Sequence, residues 1–163
     1  MSCAPCVPQS VVSRRRAGSI YVVISLPQPD DLTSLVLRTD FTDDAGWEAL
    51  KTALHTWEGH DSATFVSDPN YASLSLQELV DADNAASHEN KLIYLFLADA
   101  TTMTDVEHPL LAVDLAHEPG RTFRVPPRWF ADVSANLTIA NLDFDEFADA
   151  ADSSGTYRGL DGD

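Results

Sequence analysis

Residues 91–98 read Lys-Leu-Ile-Tyr-Leu-Phe-Leu-Ala, so seven residues without a charge follow one lysine. A strand with one face in water alternates apolar and polar side chains, because successive residues point to opposite faces. This run does not alternate, so it predicts a central strand that is covered on both faces. Covering both faces requires a layer of structure on each side of a sheet, which favours an α/β fold.

The chain before this run alternates between strand and helix patterns. Residues 35–39 predict a first strand, and residues 63–67 predict a second strand. A helix between them is predicted by apolar residues at the spacing of one helical face, namely Trp47, Leu50, Leu54 and Trp57. A Ser-x-x-Glu capping box at residues 75–78 opens a second helix. Such alternation predicts parallel strands with right-handed crossovers.

The chain after this run predicts an antiparallel addition to the sheet. Residues 110–115 and 121–125 are strand candidates on either side of a turn at Gly120, so they predict a hairpin at a sheet edge. Residues 128–142 are partly helical in pattern, and residues 143–151 predict a last amphipathic helix. The predicted order is β-α-β-α-β-β-β-α, in a two-layer or three-layer α/β sandwich with a mixed five-stranded sheet and an antiparallel edge hairpin.

The length and composition predict one domain with a tail at each end. The chain has 163 residues, of which 44% are apolar, and this is ordinary for one globular domain. Residues 31–151 carry the periodic patterns and form the predicted domain. Residues 1–30 contain four prolines and little periodicity, so we expect a disordered tail or a wrongly assigned start. Residues 152–163 contain three glycines and are expected to form a flexible tail.

The net charge is the most unusual property of the composition. There are 26 acidic residues and 10 basic residues, which gives a formal net charge of −16. Three of the basic residues are Arg14, Arg15 and Arg16, so the balance from residue 17 onward is 7 − 26 = −19. A surface this negative repels nucleic acid phosphates and anionic membranes. It attracts basic proteins or divalent cations, although charge of this kind also serves solubility alone.

The cysteine content and the short apolar segments indicate where the protein works. The two cysteines, Cys3 and Cys6, both lie near the N-terminus, so no disulfide framework stabilises the domain. The apolar run at residues 20–26 is too short to cross a bilayer. We therefore expect a cytoplasmic protein that acts without a membrane.

Several segments together resemble a small family of uncharacterised domains found in actinobacteria and some fungi. The resemblance spans roughly residues 32–158. It is carried by residues 35–44 with Trp47, by residues 97–102, by His108 and Pro109, by residues 119–124 and by residues 139–144. The resemblance implies family membership but no activity, since the family has no established activity or site.

Acidic residues follow two of the predicted parallel strands, where ligands of open α/β sheets bind. Asp40 and Asp43 follow the first strand, and Asp99 and Thr101 follow the central strand. Carboxylate oxygens suit a hard cation, so Asp40, Asp43 and Asp99 are candidate magnesium ligands. The alternative is that these aspartates cap helices and form turns, as strand-end aspartates commonly do.

Three arginines within predicted strands are the other candidate ligand-binding residues. Arg38 lies in the first strand, and Arg121 and Arg124 lie in the last one. A buried arginine requires a partner, so ion pairs of Arg38 with Asp40 and of Arg124 with Asp114 are expected. The alternative is a small anion-binding pocket built from Arg38, Arg121 or Arg124. Asp40, Asp99 and Thr101, at the strand ends, are also candidate ligand-binding residues.

No motif in the sequence assigns a catalytic residue. Trp129 and Phe130 follow two prolines and are candidates for an exposed protein contact. The favoured hypothesis is an acidic module that docks on a basic partner, as an immunity or inhibitor protein does. The alternative hypothesis is a small magnesium-dependent enzyme or ligand sensor that uses the acidic strand ends.

Overall fold

The computed structural model describes residues 24–58 and 62–160. The helices and strands are, in chain order, β1 (Ser34–Arg38), α1 (Asp44–Glu58), β2 (Ala63–Val66), α2 (Leu76–Asn84), β3 (Tyr94–Ala98), α3 (Ala100–Thr104), β4 (Leu110–Asp114), β5 (Thr122–Val125), α4 (Pro127–Thr138) and α5 (Phe144–Asp149). Short 3-10 turns lie at Pro69–Tyr71 and His88–Asn90. No helix in these two ranges is long and apolar enough to cross a membrane.

The five strands form one mixed sheet in the order β2-β1-β3-β4-β5. Strand β1 pairs in parallel with both β2 and β3. Strand β4 pairs antiparallel with β3, and β5 pairs antiparallel with β4. The predicted α/β class, the mixed five-stranded sheet and the antiparallel edge hairpin are therefore confirmed.

The sheet is buried on both faces, which makes the molecule a three-layer sandwich. Helices α1, α4 and α5 cover one face, where they pack on strand residues such as Phe96. Helix α2 and residues 24–26 cover the other face, where they pack on strand residues such as Leu97. Because neighbouring residues of β3 belong to different buried clusters, the non-alternating pattern of this strand has a direct structural cause.

Two helices occur where the sequence pattern was weak. Helix α3 follows directly after β3, and the Asp99 carboxylate caps it by accepting a bond from the Thr102 amide. Helix α4 begins at Pro127, which lies in the first turn, where a missing N–H costs nothing. The two prolines that end β5 therefore also start a helix.

The prediction of a tail through residue 30 is wrong for its described part. Ile24 and Leu26 are buried against α2 and the sheet. The Tyr71 hydroxyl donates to the Ser25 carbonyl at 2.7 Å, and the Gln28 amide donates to the Asn90 carbonyl at 2.9 Å. These bonds fix residues 24–30 across the face of the sheet. Residues 1–23 lie outside the described part of the chain.

The prediction of a flexible tail from residue 152 is also wrong for residues 152–160. The Arg124 amide donates to the Gly155 carbonyl, and the Tyr157 amide donates to the Arg124 carbonyl, both at 2.8 Å. These two bonds hold the segment along the outer edge of β5. The Tyr157 ring is buried in the core beside Phe123 and Phe147. A single aromatic residue was too weak a sequence signal to predict this packing.

Candidate functional site

The carboxyl ends of β1, β2 and β3 meet at one edge of the sheet, which we call the carboxyl edge. Ligands of open α/β sheets bind where neighbouring strands send their connections to opposite faces. Here α1 follows β1 on one face, and α2 follows its neighbour β2 on the other. The amides of Thr39 and Asp40 both donate to the Ala98 carbonyl, at 3.0 and 3.3 Å, so backbone bonds bridge β1 and β3 at this point.

Asp40 and Asp43 lie at the carboxyl edge, where Asp40 bonds within the turn before α1 and Asp43 bonds to the first turn of α1. The Asp40 carboxylate accepts from the Thr42 amide at 2.9 Å and from the Thr42 hydroxyl. The Asp43 carboxylate accepts from the Gly46 amide at 2.9 Å. The Asp43 bond satisfies a donor that the N-terminus of α1 leaves unpaired, and the Asp40 bonds close the turn before this helix.

Asp99 lies at the same edge and forms a bidentate ion pair with Arg124. Both oxygens of the Asp99 carboxylate accept from the Arg124 guanidinium, each at 2.7 Å. Burial alone would raise the pKa of Asp99, but hydrogen bonds from Arg124 and Thr102 outweigh burial and lower this pKa below its ordinary value. Asp99 is therefore ionised, and both of its carboxylate oxygens accept hydrogen bonds.

The expected pair of Arg124 with Asp114 is wrong. The register of the hairpin places Arg124 opposite Leu111, at the carboxyl edge, whereas Asp114 is at the other end of β4. The buried Asp114 carboxylate instead accepts from three successive backbone amides, those of Ala116, His117 and Glu118. Asp114 thus stabilises the turn between β4 and β5.

The residues predicted to bind magnesium do not assemble a metal site. Residues 24–58 and 62–160 contain no group of three or more acidic, histidine or cysteine side chains arranged to hold a metal ion. Asp40, Asp43 and Asp99 each bond to a different local partner, and Thr101 is exposed on α3. The carboxylates at this edge therefore act as caps and ion-pair partners.

The three candidate arginines do not form one anion-binding pocket. Arg38 is 3% exposed, and its guanidinium donates to the Asp40 carbonyl at 2.8 Å and to the Asp44 carboxylate at 2.7 Å. The expected partner of Arg38 was the Asp40 side chain, but the ion pair is with Asp44. Arg124 lies on the opposite face of the sheet, because it alternates with Phe123 and Val125, which face the α1 side.

Arg121 is separate from both of these arginines. It bonds to Glu118 at 2.7 Å and to Asp149 of α5, so it links the hairpin turn to the last helix. The guanidinium groups are thus neutralised one by one, and each pair connects two elements of the fold.

The prediction that Trp129 and Phe130 form an exposed contact is wrong for Phe130. Phe130 is fully buried, and its ring centroid lies 4.9 Å from that of Phe96. Trp129 is partly buried between Tyr157 and Gly159, and a Cβ atom at Gly159 would lie 2.9 Å from its ring. The exposed Arg128 guanidinium lies 4.8 Å from the Trp129 ring.

A chain of hydroxyl groups at the opposite end of the sheet was missed by the sequence patterns. The Ser34 hydroxyl lies 2.6 Å from the Ser134 hydroxyl and 2.9 Å from the Tyr94 hydroxyl. The Tyr94 hydroxyl lies 2.9 Å from that of Thr138. Helical spacing from Phe130 places Ser134 on the inner face of α4, which is the signal that could have located it. These bonds tie α4 to β1 and β3.

Fold and site together define a three-layer α/β domain whose acidic carboxyl edge is held by internal bonds. The chain belongs to the family described as a domain of unknown function, DUF6924, which matches residues 33–160. This match confirms the resemblance to an uncharacterised family. No curated protein matches the chain.

Proposed function

We propose that this protein is an acidic binding module that docks on a basic protein partner. The single observation that supports this function is the distribution of charge. The formal net charge is −16, and almost all basic residues of the domain form ion pairs within it. A basic partner gains long-range attraction from such a surface and meets little repulsion.

The ion pairs account for six of the seven basic residues that follow residue 17. The paired residues are Arg38, Lys51, Lys91, Arg121, Arg124 and Arg158. The seventh, Arg128, lies over the ring of Trp129. Because these cations are already neutralised, the exposed carboxylates that have no cation beside them set the sign of the surface potential.

An immunity or inhibitor protein that covers the cationic cleft of an enzyme is the concrete form of this proposal. Such a partner would be a protein, since nucleic acid and anionic membranes carry the same sign of charge as this domain. We place this binding in the cytoplasm, which agrees with a chain whose two cysteines, Cys3 and Cys6, both lie outside the predicted domain.

The proposal is tested by affinity capture with the tagged full chain under native conditions, at low and at high salt. A stoichiometric basic protein that is retained at low salt and released at high salt is the expected result. The control is a tagged, unrelated protein of similar size and net charge, which identifies proteins that bind any polyanion. Recovery of the same proteins by both baits would contradict the proposal.

A further inference from the structure

One end of the sheet combines free carboxylates with exposed apolar side chains. We call it the amino end, because β1 and β3 begin there, and it comprises Asp30, Asp31, Leu32, Glu89, Ile93 and Ile139. Leu32 is 78% exposed, Ile93 is 62% exposed and Ile139 is 67% exposed. Each lies within two residues of a member of the hydroxyl chain that joins Ser34, Tyr94 and Thr138.

Leu32 also has a left-handed backbone conformation, which is unfavourable for leucine. The Thr33 amide donates to the Asp30 carbonyl at 3.1 Å, which closes a four-residue turn. Leu32 is the third residue of this turn and has a φ of 59°. Glycine or asparagine normally occupies such a position, because a branched apolar side chain is strained there. An exposed leucine therefore costs stability at this site and contributes no burial, which points to a role outside the fold.

The carboxylates at the amino end differ from those at the carboxyl edge. Asp40, Asp43 and Asp99 accept internal hydrogen bonds. The side chains of Asp31 and Glu89 make no hydrogen bond or ion pair within the described ranges, and both are exposed. The bond from Gln28 to the Asn90 carbonyl brings the two segments together. The carboxylates of the amino end are thus available to an external cation.

Together these features have the composition of a docking face, with apolar residues flanked by charged ones. We infer that the amino end binds a protein that presents apolar side chains flanked by lysines or arginines. This inference rests on the proposed function and adds the location of the site and the chemistry of the partner surface. A second copy of the chain is not the partner, because two copies that each carry a net charge of −16 repel each other. Lys91, the basic residue at this end, already contacts Asp83 of its own chain.

The test uses two short synthetic peptides and the isotope-labelled full chain. One peptide is amphipathic and made of leucine and lysine, and the other has serine in place of every leucine. The leucine–lysine peptide is expected to bind at least about tenfold more tightly and to shift the amide signals of residues 30–33 and 89–93. Both peptides carry the same charge, so the ratio of their affinities isolates the apolar contact.

The matched variants are L32N at the amino end and V106N at the carboxyl edge, where Val106 is also exposed. L32N is expected to raise the Tm and to weaken leucine–lysine binding about fivefold or more, and V106N is expected to leave this affinity unchanged. A lost contact combined with a raised Tm cannot come from unfolding.

Three other results have distinct meanings. Equal affinity for both peptides would overturn the docking face and leave the proposed function intact, since charge alone would then drive binding. Shifts confined to the carboxyl edge would overturn the location. Binding of neither peptide would contradict both the docking face and the proposed function.

Discussion

The segment after Asp152 is expected to be part of the core, and Y157A tests this directly. The Tyr157 ring lies 5.2 Å from Phe147, 5.8 Å from Trp129 and 6.5 Å from Phe123, measured between ring centroids. Truncating a large buried aromatic residue to alanine lowers the free energy of unfolding by about 3–5 kcal/mol. A domain of this size is stable by about 5–15 kcal/mol, so this loss is a large fraction of the total.

Urea unfolding followed by tryptophan fluorescence measures the effect. With a slope of about 2 kcal/mol per M, the midpoint of Y157A should fall by about 2 M, and the Tm should fall by about 10 °C. Y157F keeps the ring and its aromatic contacts, so it should retain most of the stability that Y157A loses. L160A, at an exposed position, should change the midpoint little. A Y157A midpoint equal to that of the wild type would refute the packing of this segment.

Three further predictions concern single side chains. The pKa of Asp99 is lower in the folded protein than in the unfolded chain, so its contribution to stability is present above the ordinary pKa of about 3.9 and is lost as the pH falls toward the folded value. D99N should therefore lose less stability than the wild type as the pH falls below about 4 in urea titrations. R38K should lower the free energy of unfolding by about 2 kcal/mol, because it loses the bond to the Asp40 carbonyl. D44N should lower the free energy of unfolding by less than about 1 kcal/mol, since the Asp44 side chain is 88% exposed. L32N should raise the free energy of unfolding by about 1 kcal/mol in the same assay, and an unchanged value would remove the evidence for strain at this turn.

The architecture could be predicted because the strongest patterns are set by burial on both faces of the sheet. The run at residues 91–98 is apolar on both faces of its strand, so both faces must be buried. Trp47, Leu50 and Leu54 recur at helical spacing, which predicts one buried helix face. Patterns of this kind depend on local periodicity, which a single sequence contains.

The candidate site could be predicted only in part, because partners across the sheet depend on register. The sequence placed Asp99 and Arg124 among the polar residues of interest, but it paired Arg124 with Asp114, at the other end of the neighbouring strand. Phe130 follows a proline pair like an exposed loop residue, yet it is buried because those prolines start α4. Such errors arise where tertiary contacts decide the role of a side chain.

The proposed binding depends on electrostatic attraction between this acidic protein and a basic partner. The most direct measurement is the Kd of the full chain for the purified partner from the capture experiment, at about 50 and 300 mM salt, by titration calorimetry. We expect the Kd to rise at least about tenfold at the higher salt concentration, because salt screens the attraction between opposite charges. A Kd that does not change with salt would contradict the proposed function.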